Sequence, residues 1–418
     1  MSRLKFYFPD SQDQIDPSFD FHSEERSPFR VRQRDDRYAH EVLCPAPYDG
    51  LLVSKPIVDG MPGVTGKYTE AQRHRLYREG VQRFFRLEQQ GNNLEMMGDC
   101  GAFTYVRDDQ PPYSVDEVVD FYQRCRFDAG VSVDHVVFGY DPLMDASPSA
   151  VPEEWTRRQQ LTLSLAAEFL RQHRRERCDF EPIGVAHGWS PRSYAASVRQ
   201  LQSIGYRRIA MGGMVPLKTH AITAILSDVK EELRCDTHLH LLGVTRPAYM
   251  QQFAQCGVTS FDSTSPFVQA FMDERDNYYT VSGSYVAIRV PQVDGNTRLR
   301  QLVNAGEVDQ RIARRLESDC LAEIRRYAEG TSSLSAATDA IGKYCALIGD
   351  KKDRMQQYTE TLESRVWETC RCNVCREIGV EVVLFRGAER NRRRGFHNLY
   401  VFEQRLAREL SPATGKSA

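Results

Sequence analysis

The chain has 418 residues, room for two average domains or for one large barrel with additions. Its formal net charge is −2 and 41% of its residues are hydrophobic, so a global basic field for nucleic acid is excluded and any such partner must meet a local patch. No apolar run approaches a membrane span, and MSRLKFYFPDSQ lacks the apolar stretch of a signal peptide; eleven cysteines without a disulfide-like spacing complete the expectation of a cytoplasmic protein with reduced thiols.

Residues 1–47 are polar and irregular and read as an N-terminal extension packing on the body, with LKFYF as a strand laid across its outside. From residue 48 strands and helices alternate. LLVS (51–54) is a strand, and the capping box Thr69 to Gln72 opens a helix that Gly80 stops. FFRL (84–87) is the next expected strand, leading to Gly98-Asp99; Ser114 and Glu117 then cap a helix. VSVDHVV (131–137) is a strand, and Pro152 starts a long helix at the position that tolerates proline. PIGVAHG (182–188), RRIAMGG (207–213), HLHLLGV (238–244) and VTSFD (258–262) continue the strands, with helices between them ended by Gly205, near 233 and by Gly257.

Such alternation indicates a parallel sheet with right-handed crossovers. Seven strands before residue 263 and GVEVVLF (379–385) as a candidate eighth predict a (β/α)8 TIM barrel, with a doubly wound open sheet as the alternative. The expected divisions are the extension 1–47, barrel strands in 48–296, accessory helices in 297–369 (segments 297–328, 333–348 and 354–369), and a zinc-binding subdomain with the final strand in 370–418.

The zinc reading rests on C-R-C-N-V-C followed, after twenty-one residues, by a histidine. Cys370, Cys372 and Cys375 can converge on one ion, and His397 can return from a hairpin or strand as the fourth ligand. Three thiolates and one imidazole close a tetrahedron with no place for water, so the predicted Zn2+ is structural.

A barrel of this kind gathers its chemistry at the C-terminal ends of its strands. There lie Asp99 in GDCGAF, Asp134 in SVDHV, His187-Gly188 in GVAHG, Gly212-Gly213 in RIAMGGM, and Asp262 in FDSTSP. Carboxylates converging on one mouth raise each other's pKa, which suits one as nucleophile and another as proton carrier.

These motifs, with LLGV and the Cys3His cluster, stand in the order and approximate spacing of the tRNA-guanine transglycosylases, and over residues 45–400 the chain resembles that family. The resemblance implies Asp99 as general acid/base, Asp262 as nucleophile, and Asp134 as reader of the base edge, with Asp141 a weaker match. It places His187 on the family's V-Q-G-G glutamine, as a base contact or a structural histidine, and Gly212-Gly213 on its glycine pair. Departures are Ser263-Thr264-Ser265-Pro266 after Asp262, Cys100 in place of a serine, and a shorter zinc spacer. KFYFPDSQDQIDPSFDF and HEVLCPAPYDGLLVSK are instead similar to the branch that exchanges guanine in DNA for a 7-deazaguanine, which implies DNA, a preQ0-like base and a ParB-like ATPase partner. For the DNA backbone, Arg390, Arg392, Arg393 and Arg394 beside His397 read as a phosphate clamp or as a solvated turn, and Arg371 and Arg376, which flank the cysteines, favour the clamp. A tRNA enzyme of the same chemistry, or a non-catalytic zinc-containing partner subunit, are the other readings; the presence of both Asp99 and Asp262 argues against the second.

Overall fold

Eight parallel strands close into a barrel in the computed structural model, which describes residues 3–90, 93–272, 275–349 and 352–410. They are β1 (Lys5–Pro9), β2 (Gly50–Ser54), β3 (Glu95–Asp99), β4 (Ala129–Val131), β5 (Glu181–Ala186), β6 (Arg208–Met211), β7 (His238–Leu241) and β8 (Val258–Asp262). Each pairs with the next, and β1 closes on β8 with Phe6 opposite Phe261 and Tyr7 opposite Asp262. The expected (β/α)8 architecture is therefore the one found.

Alternate residues of these strands form one buried cluster: Tyr7, Leu52, Met97, Ala129, Val131, Ile183, Val185 and Ala210. Full burial of each large member contributes about 1.5–3 kcal/mol. The N-terminal end of the barrel is closed by charge. Arg208, first in β6, donates to Glu95, to Glu181 at 3.1 Å and to the Tyr7 hydroxyl at 3.0 Å. Burial pushes the Glu95 carboxyl up, but Arg208 and Lys5 outweigh it and hold it at about 2. This end is a stability element, and the C-terminal ends are left for chemistry.

The helix caps expected from the sequence are present. Thr69 and Gln72 box the start of Glu70–Glu79, Ser114 and Glu117 that of Val115–Cys125, and Ser190 that of Pro191–Ile204, which Gly205 ends at φ +117°.

Four strand assignments are corrected. LKFYF is not an outer strand: it is β1, a barrel stave whose Phe6, Tyr7 and Phe8 are all buried. FFRL is not a strand: Val81–Phe84 is helical and Leu87–Gln90 is a 3-10 turn, the true stave being EMMGD. A four-residue apolar run carries too little periodicity to tell the two apart. VSVDHVV pairs only as far as Val131 and then leaves the sheet. GVEVVLF is not the eighth stave, because β1 already fills that place; Gly379–Val383 is a 3-10 helix and Leu384–Phe385 pairs with Ile288–Arg289.

The chain divides into two compact units, residues 1–12, 48–264 and 406–418 in the first, and 13–47 with 265–405 in the second. The expected N-terminal extension 1–47 is thus split at residue 12, and the barrel unit runs to 264 rather than 296. The second unit contains the helices Thr297–Asn304, Gln310–Ala328, Leu334–Ile348, Met355–Glu363 and Val366–Thr369. Among the described residues no helix is long and apolar enough to cross a membrane, and no cysteine is in a disulfide.

Candidate active site

Asp99 ends β3 at the barrel mouth. Its Oδ2 accepts from the Ser54 hydroxyl at the end of β2 (2.6 Å) and from the backbone N–H of Gly101 (3.0 Å). Gly101 makes that turn at φ +72°, and a Cβ there would lie 2.5 Å from Pro56. Burial raises the Asp99 carboxyl to about 7; the Ser54 bond opposes this, and the carboxylates of Asp134 and Asp262 add to it. At neutral pH such a group is both an acid and a base.

Asp262 ends β8 and is 6% exposed. Its Oδ1 accepts from the Gly243 N–H at 3.0 Å and lies 3.2 Å from His240 Nε2. Both contacts fall on the same oxygen, Oδ1. His240 sits inside β7 with Nδ1 2.9 Å from the Ser260 hydroxyl, and burial lowers its pKa, so it is neutral; Asp262 opposes this without reversing it.

Asp134 follows β4 and is 3% exposed. The Cys100 thiol donates to its Oδ1 (3.0 Å), and His187 Nε2 lies 2.6 Å from its Oδ2. Burial first, then Asp134, pushes the Cys100 thiol far up, so it remains a neutral donor. The Tyr105 hydroxyl reaches Cys100 Sγ and the Asp134 carbonyl. His187 is 1% exposed and its Nδ1 is buried with no hydrogen-bond partner. Gly212 and Gly213 make room for that ring: a Cβ on Gly212 would lie 2.3 Å from His187 Cε1, and Gly213, at φ +74°, would bring one to 2.8 Å of the Val137 carbonyl. Asp141 is not part of this set; it caps the turn Pro142–Asp145 by accepting from Leu143 N at 2.9 Å.

Asp99, Asp134, Asp262, His187 and the glycine pair therefore stand at one mouth, with Asp134 and Asp262 within electrostatic reach of Asp99. Sequence reasoning missed Ser54, Gly243, His240 and Ser260. The signal available was a polar residue in the inward register of an apolar strand, as with His240 between Leu239 and Leu241. It also missed Phe103 and Phe138, on the loops after β3 and β4, which are 66% and 41% exposed and meet edge to face at 5.6 Å.

The arginine cluster is not the solvent-facing clamp expected. His397 and the arginines share the helix Gly387–Leu410 rather than a hairpin or turn. Arg390, Arg393 and Arg394 are at most 1% exposed. Arg390 donates to Glu381 (2.7 Å), Glu24 and the Phe21 carbonyl; Arg393 to Glu389 (3.0 Å) and the Asp16 carbonyl. Arg394 is spent on the carbonyls of Val382, Leu384 and Ala270. Guanidinium groups so enclosed are structural: Nε of Arg393 and of Arg394 has no hydrogen-bond partner, but both are buried away from any phosphate. Arg392 keeps 29% side-chain exposure, while Arg371 and Arg376 are exposed.

The ligand atoms of Cys370, Cys372, Cys375 and His397 all lie within 4.8 Å of one another, a set able to hold a metal ion. His397 Nδ1 stands 3.4, 3.5 and 3.3 Å from the three sulfurs in that order. A tetrahedron with Zn–S of about 2.3 Å and Zn–N of about 2.0 Å has S–N edges of about 3.5 Å. His397 Nε2 donates to the Tyr279 carbonyl at 2.8 Å, which turns the Nδ1 lone pair toward the thiols, and the Tyr278 ring stacks on the imidazole at 4.0 Å.

Residues 68–408 match the family described as Queuine tRNA-ribosyltransferase. A protein of Salmonella montevideo named DNA-guanine transglycosylase is 50% identical over 415 residues, 98% of each chain.

Proposed function

The chain belongs to the queuine tRNA-ribosyltransferase family, and we propose that it is a transglycosylase that exchanges guanine in DNA for a 7-deazaguanine base of the preQ0 type. The observation that carries the reading is the division between two aspartates at one mouth. Asp99 is raised to about 7, and Asp262 is held through two contacts on Oδ1. The polymer is taken from the relative named DNA-guanine transglycosylase, which is similar along nearly the whole chain.

In this mechanism the target deoxyguanosine is flipped out of the duplex or met single-stranded. Asp262 Oδ2 forms a bond to C1′ as the C1′–N9 bond breaks, and guanine leaves with the proton of Asp99. The result is an aspartyl–deoxyribose ester, the first half of a retaining displacement. The incoming 7-deazaguanine gives its N9 proton to the Asp99 carboxylate and attacks C1′, freeing Asp262. No redox step is involved. Asp134 accepts from the N1–H and 2-amino group of the base, which requires His187 or Cys100 to release one of its oxygens. His187, beside Asp134, and the backbone of Gly212-Gly213 offer further contacts to the base, and Phe103 with Phe138 offers an aromatic wall for base stacking.

The Cys3His set fits Zn2+ by ligand type and spacing, and its role is structural, since no ligand position is left for water. Phosphate contacts fall to Arg371, Arg376 and Arg392. The resemblance to the DNA-modifying branch supports a ParB-like ATPase partner, and the free thiols fit a cytoplasmic setting.

The family description names a tRNA activity, so the test offers both polymers. The protein, with its ATPase partner supplied, receives labelled preQ0-type base with DNA or with tRNA, and nucleosides are read by mass spectrometry. Label in DNA is expected; label in tRNA alone overturns the reading.

A further inference from the structure

Inside the barrel, Ser260, His240 and Asp262 form a buried polar column, of which the exchange chemistry above uses only Asp262. His240 and Ser260 are 0% and 1% exposed. The Ser260 hydroxyl lies 2.9 Å from His240 Nδ1, and His240 Nε2 lies 3.2 Å from Asp262 Oδ1. Tyr7 meets the imidazole edge to face at 5.6 Å and keeps the ring from turning. The groups facing His240 are therefore Ser260, Asp262 and Tyr7, with Arg208 and Glu95 acting at longer range.

We propose that His240 is a positioning residue for Asp262, a neutral donor locked in one tautomer by Ser260 that holds Oδ1 and presents Oδ2 to the sugar. This rests on the exchange reading given above. The tautomer follows from the partners: a carboxylate only accepts, so Nε2 carries the hydrogen, and Nδ1 accepts from the serine. Gly243 N–H donates to the same oxygen, so two donors hold Oδ1. A neutral donor leaves the negative charge of Asp262 available for attack, where an imidazolium would neutralise it. The donor also has a direction of effect. A carboxylate accepts more strongly than an ester carbonyl. Hydrogen bonds on Oδ1 therefore favour the state in which Asp262 has left the sugar, and they speed the second half of the exchange. No proton moves through His240.

The test uses the full chain with its partner, a target oligonucleotide and labelled preQ0-type base. Turnover is read by label incorporation, and the covalent DNA–protein adduct by denaturing gel. In His240→Phe, turnover is expected to fall at least tenfold while the fraction of enzyme trapped as adduct rises. His240→Gln, whose amide nitrogen can reach the same oxygen, should recover most of the turnover, and Ser260→Ala should show the Phe effect in weaker form. Wild-type turnover in His240→Phe, or equal loss in the Phe and Gln variants, overturns the proposal. If His240→Phe does not fold, Ser260→Ala decides: unchanged turnover and adduct there overturn it. Absence of exchange by the wild type removes the exchange reading itself, which is distinct from an active wild type with an indifferent His240→Phe.

Discussion

Asp99 and Asp262 are the same residue type at one barrel mouth, yet their surroundings differ. Asp99 is buried beside two other carboxylates and rises to about 7. Base departure needs its protonated form and attack by the incoming base its ionised form, so exchange is expected to peak near pH 7 and fall on both sides. Asp99→Asn should lower exchange by about 10²–10⁴-fold and still bind DNA, whereas Asp262→Asn should bind and form no adduct; a gel-shift and adduct assay separates the two. The raised carboxyl also costs stability. Its unfolded value is near 4, so the stability it gives is fully present below that pH and is lost as pH rises through about 7. Asp99→Asn should therefore melt above the wild type at pH 8, and by a smaller margin at pH 5. At Gly212 the constraint is space: an added Cβ meets His187 at 2.3 Å. Gly212→Ala should cost about 1–3 kcal/mol and raise KM for the incoming base, because His187 must move off Asp134.

The helix Gly387–Leu410 carries three fully buried arginines through one hydrophobic shell, with Phe396, Leu399 and Phe402 on its apolar face. Two of these guanidinium groups are matched by carboxylates, Arg390 by Glu24 and Glu381 and Arg393 by Glu389, while Arg394 rests on backbone carbonyls, so they resemble an internal polar network more than a surface. Removing one partner strands the other. Arg393→Ala should cost about 3–5 kcal/mol in denaturant unfolding without changing the salt dependence of DNA affinity in the folded protein. The exposed pair behaves oppositely: Arg371→Ala with Arg376→Ala should leave stability nearly unchanged and reduce the slope of log K against log salt by about 1–2 units. At the barrel staves the same contrast of burial holds. LKFYF and EMMGD are buried on both faces, and their identity as staves depends on the neighbours that cover them.

For the molecule as a whole, the Cys3His set of the second unit is able to hold a metal ion, and on the structural reading proposed above chelation should lower thermal stability; so should Cys372→Ser, and a melting curve indifferent to both would remove the structural role. The residues alone determined much of this protein. Helix caps such as Thr69–Gln72 and Ser114–Glu117 are short-range hydrogen-bond patterns, the alternation of strands and helices is a periodic one, and the cysteine spacing is a matter of local reach. Asp99, Asp134, His187, Gly212, Gly213 and Asp262 could be named because parallel barrels place strand ends together. What only the tertiary structure decided is whatever depends on partners distant in the chain. Glu24 and Glu381 bury Arg390, and Asp16 and Glu389 bury Arg393, so a run of arginines became interior. Tyr7 meets Asp262 across the closing pair β1 and β8, so LKFYF became the first stave and GVEVVLF lost that place. The column Ser260–His240–Asp262 joins two strands whose side chains share an inward face only once the barrel has closed, which is why no spacing in the chain announced it.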